Sequence, residues 1–183
     1  CVCSVSSDFR ISRVERPSLL CTDGVAEFDL TTQRFKTLLQ GNVDAIYFNE
    51  KLYIGKREEV FVYNESTGNF DLYYHLAGKD ITLSCLHLDE KKNLWMGTTS
   101  NGLYCLSGDK KISQPVTRGN IASIYEDSSK ELWICTWEEG LYRIKTDSTI
   151  ENFRHDPKNP NSICADFVRS CCEDNAGNLW IGT

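Results

Sequence analysis

NLWMGTTSNGLYCL (Asn93–Leu106) and ELWICTWEEGLYRI (Glu131–Ile144) are near-copies of one phrase, and NLWIGT (Asn178–Thr183) begins it a third time. A phrase repeated in this way marks a chain built by stacking copies of one supersecondary unit. With the tryptophan of the pattern Leu-Trp-apolar-small-Thr as reference, the copies fall at Trp95, Trp133 and Trp180. An aromatic variant, LYIG, puts Tyr53 at that place, and a degraded copy, LLCTDGVAEF, puts Leu19 there. Successive reference positions lie 34, 42, 38 and 47 residues apart. A drifting period of this size excludes coiled-coil and collagen repeats and leaves one unit per copy, with insertions in the loops.

Within each unit the signals are those of strands. NIASIYED (120–127), ELWICT (131–136) and GLYRIK (140–145) are short, rich in β-branched and aromatic residues, and separated by turn residues. Asp89, Asp127 and Asp174 each stand five residues before the leucine of the phrase, where an aspartate can accept hydrogen bonds from its own turn. Gly102 and Gly140 lie seven residues past their tryptophans, where the chain reverses into a third strand. ENFRH (151–155) reads as a fourth, weaker strand. LWMG and GLYCL are apolar on both faces, as expected for a sheet covered on both sides rather than one with a wet face.

These features predict an all-β fold, a β-propeller of four-stranded antiparallel blades. The chain supplies a partial propeller of about four to five blades, the repeats centring near Leu19, Tyr53, Trp95, Trp133 and Trp180 and the last incomplete. The repeat tryptophans are expected in the core between blades. The chain reads as a fragment of a longer protein, an open arc whose uncovered blade face favours self-association.

Composition narrows the functional classes. With 183 residues and 40% hydrophobic content, the chain can bury a core. A net charge of −6 argues against binding a phosphate backbone. No apolar run approaches the roughly 18 residues of a membrane span, and CVCSVSSDFR does not resemble a signal peptide. Composition therefore leaves two readings open, a cytoplasmic protein or an exported one lacking its signal. The nine cysteines form no CxxC pair and no His stands at ligand spacing from them, so neither a metal site nor any cofactor is expected. Cys21 and Cys135 occupy the place held by Gly97 and Gly182 in other copies, a small residue in a tight slot; the cysteines are expected to be mostly buried thiols, with a disulfide framework as the lesser reading.

NLWIGT and GLYR, together with HDPKNPNSICADFVRSCCEDNAGNLWIGT (155–183), resemble the two-component regulator propeller repeat. The segment DPKNPNS followed by a strand and the ED-NAG-NLWIGT hairpin carries the resemblance, which is strongest from Asn93 onward. The resemblance implies a seven-bladed propeller in the periplasmic sensor region of a bacterial hybrid histidine kinase. It also implies an oligosaccharide ligand, and contact with the membrane only through other parts of the protein. In a periplasmic setting the thiols would meet oxidants.

The residues themselves contain no G-x-S-x-G, H-E-x-x-H, phosphate-binding loop or calcium-loop spacing, and no catalytic residue is assigned. EDSSKE and EDNAGN read as hairpin turns rather than calcium ligands. Asn64–Ser66 has the form of a glycosylation sequon, without significance in a bacterium. Trp137 stands outside the repeat pattern, in the second-to-third-strand turn, beside Glu138 and Glu139. An aromatic face for a pyranose ring, flanked by acceptors for hydroxyls, suits a sugar site. Arg118 and Asn120, in the loop entering the next first strand, and Asp166 and Arg169, one blade on, should emerge on the same face. Three functions fit in descending order: a ligand-sensing receptor domain, a protein-interaction or dimerisation platform, and a glycan-active enzyme. The last is disfavoured because His75, His87 and His155 follow no repeated pattern.

Overall fold

The computed structural model describes residues 18–183 apart from 22, 23, 30, 79 and 117. Among the described residues there are no helices, and antiparallel strands form five sheets. The first contains β1 (Ser18–Cys21), β2 (Gly24–Asp29) and β3 (Arg34–Gln40). The second runs β4 (Ala45–Asn49), β5 (Lys51–Lys56), β6 (Glu59–Asn64) and β7 (Asn69–His75). The third runs β8 (Leu83–Leu88), β9 (Leu94–Thr98), β10 (Leu103–Leu106) and β11 (Ile112–Val116). The fourth runs β12 (Ile121–Glu126), β13 (Leu132–Thr136), β14 (Leu141–Ile144) and β15 (Ile150–Phe153), and β16 (Ser170–Glu173) with β17 (Leu179–Gly182) form the fifth.

Each four-stranded sheet is a meander in sequence order, the arrangement of a propeller blade. Tyr53, Trp95, Trp133 and Trp180 all lie in the second strand of a copy, on β5, β9, β13 and β17. Leu19 lies on β1, which pairs with β2 as a second strand pairs with a third; Cys1 and Cys3 fall outside the described residues. The described strands of the first and last sheets share no pairing.

The core is a series of layers between blades. Val25 of the first sheet packs with Leu52 and Ile54 of the second, and Tyr47, Tyr53 and Val60 pack with Leu86, Leu94 and Met96 of the third. Trp95, Leu103 and Val116 meet Ile124, Leu132 and Ile134 of the fourth sheet. Cys135 and Leu141 then meet Val168 and Cys171. All five residues of β9 are buried, as its apolar character on both faces requires.

The turn aspartates do more than close their own hairpins. Asp127 accepts the backbone N–H of Ser129 and Glu131 through Oδ1, and the indole N–H of Trp133 through Oδ2 at 2.8 Å. Asp89 takes the indole of Trp95 at 2.9 Å, and Asp174 that of Trp180 at 2.8 Å. Each aspartate thus ties the first strand, the turn and the tryptophan of its copy together. Where a glutamate precedes the aspartate it reaches the preceding blade: Glu173 accepts from the N–H and hydroxyl of Ser128, and Glu126 from the N–H of Glu90. The carboxylates of EDNAGN and the first two of EDSSKE are engaged in these structural bonds, and that of Glu131 accepts from Arg143. Asn64 anchors its turn similarly, accepting from the N–H of Ser66 and Thr67.

The expectation that every repeat tryptophan is a core residue needs correction. Trp95 is 8% exposed, Trp133 half-buried and Trp180 63% exposed. The gradient follows coverage, because Trp95 lies under a four-stranded neighbour and Trp133 beside a two-stranded one. Trp133 compensates within its own blade, stacking on Phe153 at 5.9 Å with the Arg143 guanidinium over its ring. The cysteines also divide. Cys105, Cys135 and Cys171 are buried, Cys85 and Cys172 half-buried, and Cys164 exposed, so inaccessibility does not extend to all of them.

Candidate functional site

The threonine ending the phrase builds the second-to-third-strand turn. Thr136, fully buried, donates its hydroxyl hydrogen to the carbonyl of Gly140 at 2.7 Å and accepts the N–H of Glu139 at 2.9 Å. Thr98 does the same for Gly102 and Asn101 in the preceding blade. Gly140 has a φ of 76°, in the left-handed region where a side chain is strained. These constraints project residues 137–139 from the sheet edge.

Neighbouring loops are bonded to that turn. The Trp137 N–H donates to the carbonyl of Asn120 at 3.1 Å, and the Gly140 N–H to that of Asp166 at 2.9 Å. The turn therefore lies between the loop entering its own blade and the loop entering the next. Trp137, Glu138, Glu139, Asn120, Asp166 and Arg169 come together on one face. Arg118 is exposed on the first of these loops, two residues before Asn120.

Trp137 is 39% exposed and meets Phe167 edge-on, with ring centroids 4.7 Å apart. The Arg169 guanidinium lies 5.9 Å from its ring centroid, at the outer range of a cation–π contact. The indole is thus packed on the next blade's loop while keeping part of its surface open. The Glu138 backbone carbonyl is engaged by Arg154 at 3.0 Å, and its side chain is exposed.

Arg154 is the member that sequence reasoning missed. It bonds Asp166 Oδ2 at 2.9 Å and Glu139 Oε2 at 3.2 Å, bridging two loops. Asp166 also accepts the His155 N–H at 2.7 Å. Asn152 Nδ2 donates to the Glu139 carbonyl at 3.0 Å, and Tyr142 Oη to the Glu139 carboxylate at 3.5 Å. The sequence marks Arg154 only as following the weak fourth strand; it is the register pairing Leu141 with Phe153 that sets it opposite Gly140 and beside the turn. The DPKNPNS segment that follows is self-contained: Asp156 and Asn159 cap its turns, and Ser162 Oγ accepts the Asp156 N–H.

The His155 N–H and the Arg154 guanidinium hold the Asp166 carboxyl below the usual carboxylate range. Its folded value is depressed, so its contribution is complete above about pH 4 and is lost as the pH falls through the lower folded value. The His155 amide resonance is accordingly expected to titrate with a midpoint below about 4, and Asp166→Asn to abolish that titration. A midpoint at or above the free value would show that the carboxylate is not held in this way. Among the described residues no group of His, Cys, Asp and Glu is arranged to hold a metal ion.

Residues 162–183 match the family described as Two component regulator propeller. That match covers the β16–β17 hairpin and the segment leading into it. Similar solved structures include the extracellular domains assigned to hybrid two component systems BT4673 and BT3049 of B. thetaiotaomicron. The first is 21% identical with a TM-score of 0.78, covering 92% of this chain and 25% of that one. The second is 22% identical with a TM-score of 0.75, covering 92% of this chain and 24% of that one. The chain thus spans about a quarter of the length of these structures. Virginiamycin B lyase from Staphylococcus aureus is similar at 14% identity and a TM-score of 0.71, over 91% of this chain and 59% of the lyase. At these identities the likeness establishes the propeller fold. No curated protein matches the sequence.

Proposed function

We propose that this chain is part of the ligand-sensing, extracytoplasmic region of a two-component receptor, and that the Trp137 face binds an oligosaccharide. One observation carries the binding site: a partly open indole converges with Glu138, Glu139, Asp166, Arg169 and Arg154 from three loops. An aromatic plane beside paired donors and acceptors matches the two surfaces of a pyranose ring. The repeat at residues 162–183, and the names of the B. thetaiotaomicron relatives, support the receptor assignment. Placement in the periplasm or outside the cell follows from the same reading. The kinase output and the membrane connection belong to the remainder of such a receptor.

The test is calorimetry on the whole receptor ectodomain with a panel of neutral and acidic oligosaccharides. Trp137→Ala is expected to weaken binding at least about tenfold, or about 1.4 kcal/mol, with little change in melting temperature. Unchanged affinity would reduce Trp137 to a packing partner of Phe167. The alternative reading is an interaction or dimerisation platform. Self-association in sedimentation, with no glycan bound by the ectodomain, would favour it.

A further inference from the structure

Cys135 on β13 and Cys171 on β16 belong to different blades, 36 residues apart, and their Sγ atoms lie 3.5 Å from each other. Both are buried, at 0% and 5% exposure. The backbone bond from the Val168 N–H, just before β16, to the Thr136 carbonyl at 2.8 Å ties the two blades together at this point.

The equivalent interface one blade earlier shows how unusual the pairing is. There the places of Cys135 and Cys171 are held by Gly97 and Ile124, identified by their strand partners Cys85 and Ile134. A Cβ on Gly97 would lie 2.5 Å from Cys85 Sγ and 2.8 Å from Ile121 Cγ2, so no side chain fits. Around Cys135 those neighbours shrink: Ser123 stands for Cys85 and Val168 for Ile121. The space released holds one thiol, and the facing position holds another. The copies at Tyr53 and Trp95 set glycine here, and the first copy also carries a cysteine, Cys21, but at the interface of Cys135 the facing position has been exchanged for cysteine as well.

We propose that Cys135 and Cys171 are a disulfide pair, a covalent cross-link between adjacent blades. An S–S bond is about 2.05 Å long, so closure requires an approach of roughly 1.5 Å, shared between two side chains already in contact. Cys172, the neighbour of Cys171 in the strand, points to the opposite face of the sheet and does not compete for Cys135. The oxidant is an external disulfide, carried by a thiol oxidoreductase or by glutathione disulfide. One cysteine thiolate attacks it, forming a mixed disulfide and releasing one thiol; the second thiolate then displaces the other. Two electrons pass to the external disulfide, and the two cysteine protons end on the released thiols. Because both thiols are buried in the folded chain, exchange occurs before the fifth sheet closes over β13 or during its opening. The biological occasion rests on the extracytoplasmic placement proposed above, whereas the pairing itself does not depend on any ligand.

The experiment refolds the full chain in a glutathione redox buffer, alkylates it under denaturing conditions, and maps the peptides without reduction. The expected result is a linked peptide joining Cys135 to Cys171 that disappears on reduction. Reduction is also expected to lower the melting temperature by roughly 5–15 °C. The double variant Cys135→Gly with Cys171→Ile restores the preceding blade's pair and should show neither effect. Alkylation of both cysteines after oxidative refolding, or their linkage to other partners, would overturn the proposal whatever the glycan measurements show.

Discussion

Trp95→Ala is expected to lower the free energy of unfolding by about 3–5 kcal/mol, whereas Trp180→Ala is expected to cost roughly 1 kcal/mol or less. Both indoles donate to an aspartate at nearly the same distance, 2.9 and 2.8 Å. They differ in burial, at 8% against 63% exposed. Removing Trp95 opens a cavity between the third and fourth sheets, lined by Leu103, Ile124 and Ile134, which stiff strands refill poorly. It also leaves Asp89, only 6% exposed, with one donor fewer. Trp133, half-buried and supported by Phe153 and Arg143, should fall between the two. Urea unfolding followed by far-ultraviolet circular dichroism measures all three. Equal losses at 95 and 180 would mean that the aspartate bond, and not burial, carries the stabilisation.

Gly140→Ala is expected to cost about 2–4 kcal/mol, much more than a surface substitution. The added Cβ would lie 2.2 Å from the carbonyl oxygen of Phe153, a backbone atom held in the β14–β15 ladder. The residue cannot move away, because its carbonyl accepts the Thr136 hydroxyl and its N–H is given to Asp166. Gly177 supplies the control. Its φ of 81° is also left-handed, but the nearest atom to an added Cβ is the Glu173 carboxylate at 3.8 Å. Gly177→Ala should therefore cost only the conformational strain, about 1–2 kcal/mol. Thermal melts separate the two, and equal shifts would show that the 136–140 turn opens without resistance. Because Gly140 positions Trp137, its substitution should also weaken any ligand held on that face.

Much of the architecture was legible because the code is local and written more than once. The Leu-Trp-apolar-small-Thr phrase, the aspartate five residues earlier and the glycine seven residues later specify hairpins whose hydrogen bonds span only a few residues. Trp133 to Asp127, Thr136 to Gly140 and Asp127 to Glu131 are all contacts within one copy. The alternation of faces along β9 and β13 likewise needs no knowledge of distant residues. Even the shared face of Trp137, Asn120 and Asp166 could be inferred, because the strand order of a blade dictates which loops emerge together.

Tertiary structure decided what depends on long-range neighbours. Three identical tryptophan positions range from buried to exposed because coverage is a property of the adjoining sheet and is not written in the phrase. Arg154 reaches Asp166 and Glu139 only after the β14–β15 register carries its long side chain across the turn. Cys135 and Cys171, separated by 36 residues, meet only when two blades pack face to face. Hairpin turns can be read from sequence because their hydrogen bonds close over a few residues. Side-chain coverage, salt bridges between loops and thiol contacts between blades cannot, because each needs the relative placement of two elements that only packing supplies.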